Sequence, residues 1–311
     1  GQEAAQFVEE RGFEARDEKL FNIGLPGGSG QARHDALYAQ GEFDAGPALA
    51  LTAGLRHDRH ARFGNEWSPR AYAVWRAAPG WVVKGGLGHG FKAPSLKQIS
   101  PDYREDEGPN TYFGNAALIP ERSDAAELGI GWDSAAAGAQ ATAFASRVEN
   151  LIVPRLLRQV GTRGEYQFEN IDRARFQGVE TAIALRLPAG FAVNATYTYL
   201  DARDGNGQRL EKRPRHSLGL RLNWRQGPWR TGLDAQVSGG QVLATTTVGQ
   251  APQPAPDLTR VAAHVARELG HGLTLSAGVD NLGALRLVEE SKLFTGAEPP
   301  RTWRVALRGQ W

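Results

Sequence analysis

Phe191-Ala192-Val193-Asn194-Ala195-Thr196-Tyr197-Thr198-Tyr199 alternates an apolar or aromatic residue with a small or polar one. The pattern returns as Ser217-Leu218-Gly219-Leu220-Arg221-Leu222-Asn223-Trp224, and again where Trp229, Leu233, Ala235 and Val237 oppose Arg230, Gly232, Asp234 and Gln236. Leu273, Leu275, Ala277 and Val279 set against Thr274, Ser276, Gly278 and Asp280 give a fourth instance. Successive side chains of a β-strand point to opposite faces, so each segment carries one apolar and one polar face. Less regular stretches of the same kind lie near 35–43, 48–58, 67–77, 81–91, 124–132, 138–152, 174–187 and 258–268. Thirteen strands are predicted from about residue 32 onward, with a fourteenth within 3–16.

Soluble sandwiches alternate too, so the connections decide between the two readings. Working back from Trp311, the gaps are alternately long and short: 283–299 long, Leu269–Gly272 short, 243–256 long, Gln226–Pro228 short. The series goes on with a longer loop near 204–212, a short Pro188–Gly190, a long 155–165 and a short Ser134–Gly138. It ends with a very long 92–121, a short Ala78–Gly80, a middling 62–66 and a short Ala45–Gly46. Long loops on one rim and tight turns on the other mark an outer-membrane barrel; a Greek-key sandwich has no reason to sort its loops this way. The fold class is therefore all-β, a transmembrane antiparallel β-barrel with 13–14 strands present. Trp303, Val305, Leu307, Gly309 and Trp311 share one face of a final strand, the pattern expected of a strand read by barrel-assembly machinery.

Composition agrees. The 311 residues include 38 Gly, 8 Trp, 7 Tyr and 12 Phe at a mean hydropathy of −0.43, and no apolar run reaches the length of a membrane helix. Only alternate residues of a barrel strand need be apolar, so averaged hydropathy hides the span. A net charge of +2 gives no global field for nucleic acid. With no cysteine, disulfides, thiolate metal sites and thiol nucleophiles are excluded. The chain begins at Gly1 without a signal segment, so its natural amino terminus is expected to be missing or processed away.

Enzyme-like patterns weaken on inspection. Gly86-Leu87-Gly88-His89-Gly90 is followed by no βαβ unit, and its glycines read better as small lumen-facing residues. Gly24–Gly30 lacks a Lys-Ser/Thr ending, and there is no GxSxG. His57 and His60, three apart on a strand, face opposite sides, so no metal site is expected. Catalytic residues and cofactors are expected to be absent. The polar face carries Arg56, Asp58, Arg70, Lys84, Glu127, Glu180, Arg186, Arg221, Arg230, Asp234, Arg260 and His264, a mixed-charge lining suited to water or a polar plug. The long loops combine aromatic and basic residues: Tyr103, Arg104, Tyr112 and Phe113 in one, Arg158, Arg163 and Tyr166 in another. Arginine and aromatic rings hold an anionic, ring-bearing chelate by charge, cation–π contact and stacking.

Gly54-Leu55-Arg56-His57-Asp58, Gly90-Phe91-Lys92-Ala93-Pro94-Ser95-Leu96, Gly114-Asn115 and Leu118-Ile119-Pro120-Glu121-Arg122-Ser123 form an ordered series. It continues with Glu169-Asn170-Ile171, Gly178-Val179-Glu180, Arg213-Pro214-Arg215-His216, Gly278-Val279-Asp280-Asn281-Leu282 and Pro300-Arg301-Thr302-Trp303. Over roughly 35–311 this resembles TonB-dependent outer-membrane receptors, in particular the ferric-catecholate branch of the enterobactin and colicin I receptors. The resemblance implies a 22-stranded barrel with an amino-terminal plug, uptake of a ferric siderophore energised through TonB, and an outer-membrane location in a Gram-negative bacterium. The plug and the TonB box are absent from this chain, so 1–311 is expected to be a carboxy-terminal barrel portion. Iron would enter only within the bound chelate, and the expected partners are the ferric siderophore, TonB, outer-membrane lipid and the assembly machinery. The rivals are a passive porin or self-closed fourteen-strand channel, and a TonB-dependent receptor for haem or cobalamin.

Overall fold

The structure is a computed structural model describing residues 7–23, 25–108, 110–161, 163–243, 250–294 and 298–309. In chain order the elements are β1 (Phe7–Phe21), β2 (Ser29–Asp44), β3 (Leu49–His60), β4 (Gly64–Ala78), β5 (Trp81–Lys92) and α1 (Leu96–Ile99). Then come β6 (Arg104–Glu107), β7 (Asn110–Phe113), β8 (Glu121–Asp133), β9 (Ala137–Val160), β10 (Arg163–Leu187) and β11 (Phe191–Asp204). The chain continues with β12 (His216–Gln226), β13 (Trp229–Gly239), β14 (Val242–Leu243), β15 (Gln253–Pro254), β16 (Leu258–Gly270), β17 (Leu273–Asp280), α2 (Leu287–Glu290) and β18 (Thr302–Gly309).

Fourteen long strands pair antiparallel in the order β1-β2-β3-β4-β5-β8-β9-β10-β11-β12-β13-β16-β17-β18, with the β6–β7 hairpin attached to the side. The extra amino-terminal strand is β1, which reaches Phe21 rather than stopping near residue 16. Among the described residues β1 pairs with β2 alone and β18 with β17 alone, so the fourteen strands form an open wall and not the self-closed channel held as a rival. Trp311 lies outside the described residues, and so does the middle of the 243–256 loop. No described helix is long and apolar enough to cross a membrane, a test that says nothing of β-barrels.

The registers carry the sequence alternation straight across the wall. Leu128, Ala143, Val179, Tyr199 and His216 stand side by side on five strands, and Ala195, Leu220, Ala235 and Val261 on four. This apolar face is open: Leu87 is 67% exposed, Trp303 70% and Val305 76%. Two aromatic belts bound it. Trp75, Trp81, Trp132, Phe191, Trp224 and Trp229 sit at the short-turn rim, while Tyr197, Tyr199 and His216 sit toward the other. The nine residues from His216 to Trp224 match the 9–11 that a tilted strand needs to cross a bilayer. Every residue named above as lining falls on the opposite face. Its charges are cross-linked there: Arg56 to Glu14 and Asp58 at 3.0 Å, Arg221 to Asp234 at 2.6 Å, Arg230 to Glu268 and Arg260 to Glu298.

The rims sort as expected. Connections 45–48, 79–80, 134–136, 188–190, 227–228 and 271–272 share one rim; the other carries the long 93–120, 205–215, 240–257 and 281–301 together with a short 61–63. The stretch 155–165 departs from expectation. It is no loop: the β9–β10 ladder runs on to the pair Val160 and Arg163. Above the membrane neither face needs to be apolar, so the alternation that marks a strand fades while the ladder continues. His57 lies against Trp67 on the outer face (4.3 Å between ring centroids) and His60 against His34 on the inner (5.7 Å), on opposite sides as their spacing requires.

Candidate functional site

β9 pairs with β8 only as far as Glu149, and β10 with β11 only from Ala174. The outer eleven residues of each strand therefore stand clear of the wall as a hairpin about 36 Å long. The edge of β10 left free beyond β11 is taken up by β7, which pairs with it in parallel, Asn110 to Gly164 through Phe113 to Gln167. A parallel neighbour needs a long connection: 114–162, which contains β8 and β9, joins β7 to β10, while the 93–120 crossover between β5 and β8 carries β7 to that edge. β6 folds back on β7, and the four segments make one flap over the long-loop rim.

The crossover is fastened by residues of the family-like motifs. Ser95 and Gln98 close a capping box on α1. The Asn115 side chain donates to the Phe168 carbonyl at 2.9 Å, and Asn170 holds the Ile119 backbone on both sides, accepting from its N–H and donating to its carbonyl at 3.0 Å each. Glu121 accepts from the Ile152 N–H (2.9 Å) and from Lys92 (3.2 Å). At Gly114 a Cβ would overlap the Ser100 carbonyl oxygen, so no larger residue fits this approach.

The seven residues expected to bind ligand, Tyr103, Arg104, Tyr112, Phe113, Arg158, Arg163 and Tyr166, all belong to this flap or its base, but register divides them. Tyr112 opposes Tyr166 and stacks on it (5.4 Å, 22°), with Phe168 beyond (6.1 Å). By alternation along β10 these rings share the side of Gly178 and Glu180, the lumen side. Arg104, Phe113, Arg158 and Arg163 fall on the other face with Asp106, Thr111 and Glu165. There Arg163 bonds Asp106 at 2.7 Å and Arg158 bonds Glu165 at 2.5 Å, while Arg104 lies 3.7 Å from Asp106. Tyr103 is 1% exposed; its hydroxyl donates to Glu105 at 2.5 Å and Lys97 lies over its ring, which makes it part of the flap's own packing.

The flap's electrostatics are local. Tyr103 and then Lys97 hold the Glu105 carboxyl below its usual range, and the Thr111 hydroxyl followed by Arg163 does the same for Asp106. Burial pushes the Tyr166 hydroxyl up, so the ring stays neutral. Phe168 was not foreseen, although Tyr166-Gln167-Phe168 carries the alternation that would have shown it. The acidic partners Glu105, Asp106 and Glu165 were missed because charge in a loop reads as solvation. Among the described residues no group of three or more His, Cys, Asp or Glu is placed to hold a metal ion.

An antiparallel wall with an apolar band between two aromatic belts, short turns on one rim and a flap over the other, defines an outer-membrane β-barrel protein of Gram-negative type. The chain belongs to the family described as "TonB dependent receptor-like, beta-barrel", which matches residues 11–282. Over 323 residues, 90% of this chain and 42% of the relative, it is 29% identical to the ferric enterobactin receptor of Pseudomonas aeruginosa. It is 30% identical to the iron-regulated outer membrane virulence protein of Vibrio cholerae over 227 residues, 66% of this chain and 35% of that one. A crystal structure of a mutant of the Pseudomonas aeruginosa ferric enterobactin receptor PfeA superposes with a TM-score of 0.77 at 25% identity, covering 98% of this chain and 51% of the other. The chain thus spans about two fifths or less of the length of these two curated relatives.

Proposed function

We propose that this chain is the carboxy-terminal barrel portion of an outer-membrane receptor that captures a ferric siderophore of the catecholate class and imports it with energy drawn through TonB. The observation that carries this reading is the flap, a hydrogen-bonded ladder presenting Tyr112, Tyr166 and Phe168 toward the lumen side at the long-loop rim. Stacked rings suit a catechol, and the iron arrives inside the chelate with no protein metal site required. The relatives named for ferric enterobactin support the same class of ligand. In the whole receptor the wall would be part of a 22-stranded barrel, a plug would close the lumen against the mixed-charge lining, and contact with TonB would release the cargo. Arg104, Arg158 and Arg163 belong to the site in a second way. They stand on the opposite face of the same flap, so they act on an anionic chelate through their charge and without touching it.

Affinity for ferric enterobactin in the full-length receptor tests both parts. Replacing Tyr112 and Tyr166 together by Ala should weaken binding by about 2–4 kcal/mol if the stacked contact is desolvated. Replacing Arg104 and Arg158 together by Ala should cost roughly 1 kcal/mol or less per residue, and less still at high salt. Unchanged affinity in the tyrosine pair would remove the flap as the site, and binding of haem or cobalamin without any ferric siderophore would move the receptor to another branch. Steady single-channel conductance of the intact protein would favour a passive pore instead.

A further inference from the structure

Arg16, His34 and His60 stand abreast on β1, β2 and β3, on the inner face of the wall at its long-loop rim. His60 is the last residue of β3 and is 5% exposed. Its Nδ1 accepts from the Arg62 backbone N–H at 3.2 Å, and its ring lies 4.9 Å from Phe63 and 5.7 Å from His34. Arg16 can only donate, so the His34 Nδ1 accepts from it at 3.0 Å and the His34 Nε2–H donates to Asp58 at 2.8 Å. The carboxylates around the pair are already engaged. Asp58 and Glu14 each take Arg56 at 3.0 Å, and Glu18 takes Arg16 at 3.3 Å. From β4, Glu66 is tied to Arg122 at 2.7 Å, with His89 3.7 Å away. Arg16, Arg56 and Arg62 therefore balance Glu14, Glu18 and Asp58 only while both histidines are neutral.

A line of contacts runs from His60 to the flap. The turn that His60 holds carries Arg62, whose guanidinium donates to the Ala116 carbonyl at 2.7 Å. Ala116 follows Asn115, whose side chain donates to the carbonyl of Phe168, one of the three ring residues. A proton on the His60 Nδ1 would face the Arg62 N–H, donor against donor, and would add a cation to the row that holds Arg16. Burial first, then His34, Arg16 and Arg62, hold the His60 ring below the ordinary imidazole range, with Glu18 opposing them. We infer that His60 is an acid-sensitive latch on the flap. Neutral, it holds the 61–63 turn and, through Arg62, the crossover that seats Tyr112 on Tyr166; protonated, it lets that crossover go. The hold is complete above the ordinary imidazole value, about pH 6.5, and is lost as pH falls through the lower folded one. On the reading of those rings as the siderophore site, on which the latch's role in uptake rests, capture is firm at neutral pH and weakens in acid.

Three forms of the full-length receptor test this: the parent, His60→Asn and His60→Phe. Asn offers an amide oxygen near the Nδ1 position and does not titrate, whereas Phe keeps a ring and offers no acceptor. Amide exchange of Arg62, Asn115, Ala117 and Leu118, corrected for intrinsic rates, is compared at about pH 7.5 and about pH 5.5 without ligand. In the parent these amides should exchange about fivefold faster at the lower pH, the worth of one net hydrogen bond. In His60→Asn they should be slow at both values, and in His60→Phe fast at both. Ferric enterobactin affinity should fall about fivefold more over the same step in the parent than in His60→Asn, a comparison that cancels the chelate's own pH dependence. The same exchange response in parent and His60→Asn would overturn the latch. Differing exchange with equal loss of affinity would overturn it too, because the turn would then be uncoupled from the rings. If no form binds ferric enterobactin at either pH, the siderophore reading falls and the exchange rates still decide the latch.

Discussion

Asp106 is where the two hairpins of the flap meet, accepting from Thr111 at 2.6 Å and pairing with Arg163 at 2.7 Å. Two residues from Tyr103, Glu105 joins that ring to Lys97. Both carboxyls are held below their usual range, so the folded flap favours their ionised forms. Stability from this source is complete above the unfolded carboxylate values, near pH 4–5, and is lost as pH falls through the depressed folded values, below about pH 4. Amide exchange of 104–113 in the full receptor should be slow at neutral pH and faster near about pH 3. Equal protection at both pH values would mean that the ladder alone holds the hairpin. The same scale explains why Tyr103 differs from its neighbours. A tyrosine in a loop reads as a ligand contact until its hydroxyl and ring are both seen to be engaged inside the loop.

At the scale of elements, β12 shows how a strand meets the bilayer. Leu220 lies midway between His216 and Trp224, the belt residues at its two ends, and its outward neighbours are Ala195 and Ala235. Replacing Leu220 by Arg should destabilise the barrel by about 2–4 kcal/mol, the cost of a cation near the bilayer midplane. Urea titration of heat-modifiability measures it; a change below about 0.5 kcal/mol would take Leu220 off the lipid face. β9 and β10 teach the converse. Their lower halves alternate and were legible as strands, whereas their upper halves carry Arg155, Arg158, Glu165 and Glu169 in cross-strand pairs, and polarity there read as a loop. Hydrophobic period reports the solvent on each face of a strand and goes silent where both faces are wet.

For the whole molecule, the wall's two edges decide its behaviour. β1 and β18 each leave a ladder edge unpaired among the described residues, and such edges template further pairing. Produced by itself in detergent, this chain should associate through those strands and exchange the amides of β1 and β18 faster than those of β11 to β13. Light scattering with hydrogen exchange measures both. A monodisperse monomer with uniformly protected edges would show that the fourteen strands close on each other.

The fold was written in the alternation of Phe191–Tyr199 and its repeats and in the sorting of loop lengths, because lipid on one face and water on the other impose a period of two on every spanning strand. That local rule also fixed the lining residues and set His57 and His60 on opposite faces. The tertiary structure decided what no local rule reaches. It docked Asn110–Phe113 on Gly164–Gln167, some fifty residues along the chain, and in doing so stacked Tyr112 on Tyr166 and sent the flap's arginines to the other face. It also aligned Arg16, His34 and His60, whose proximity is a matter of register between strands. Register between distant segments depends on which edge is left free and how long the crossover is, and a sequence read one strand at a time carries neither.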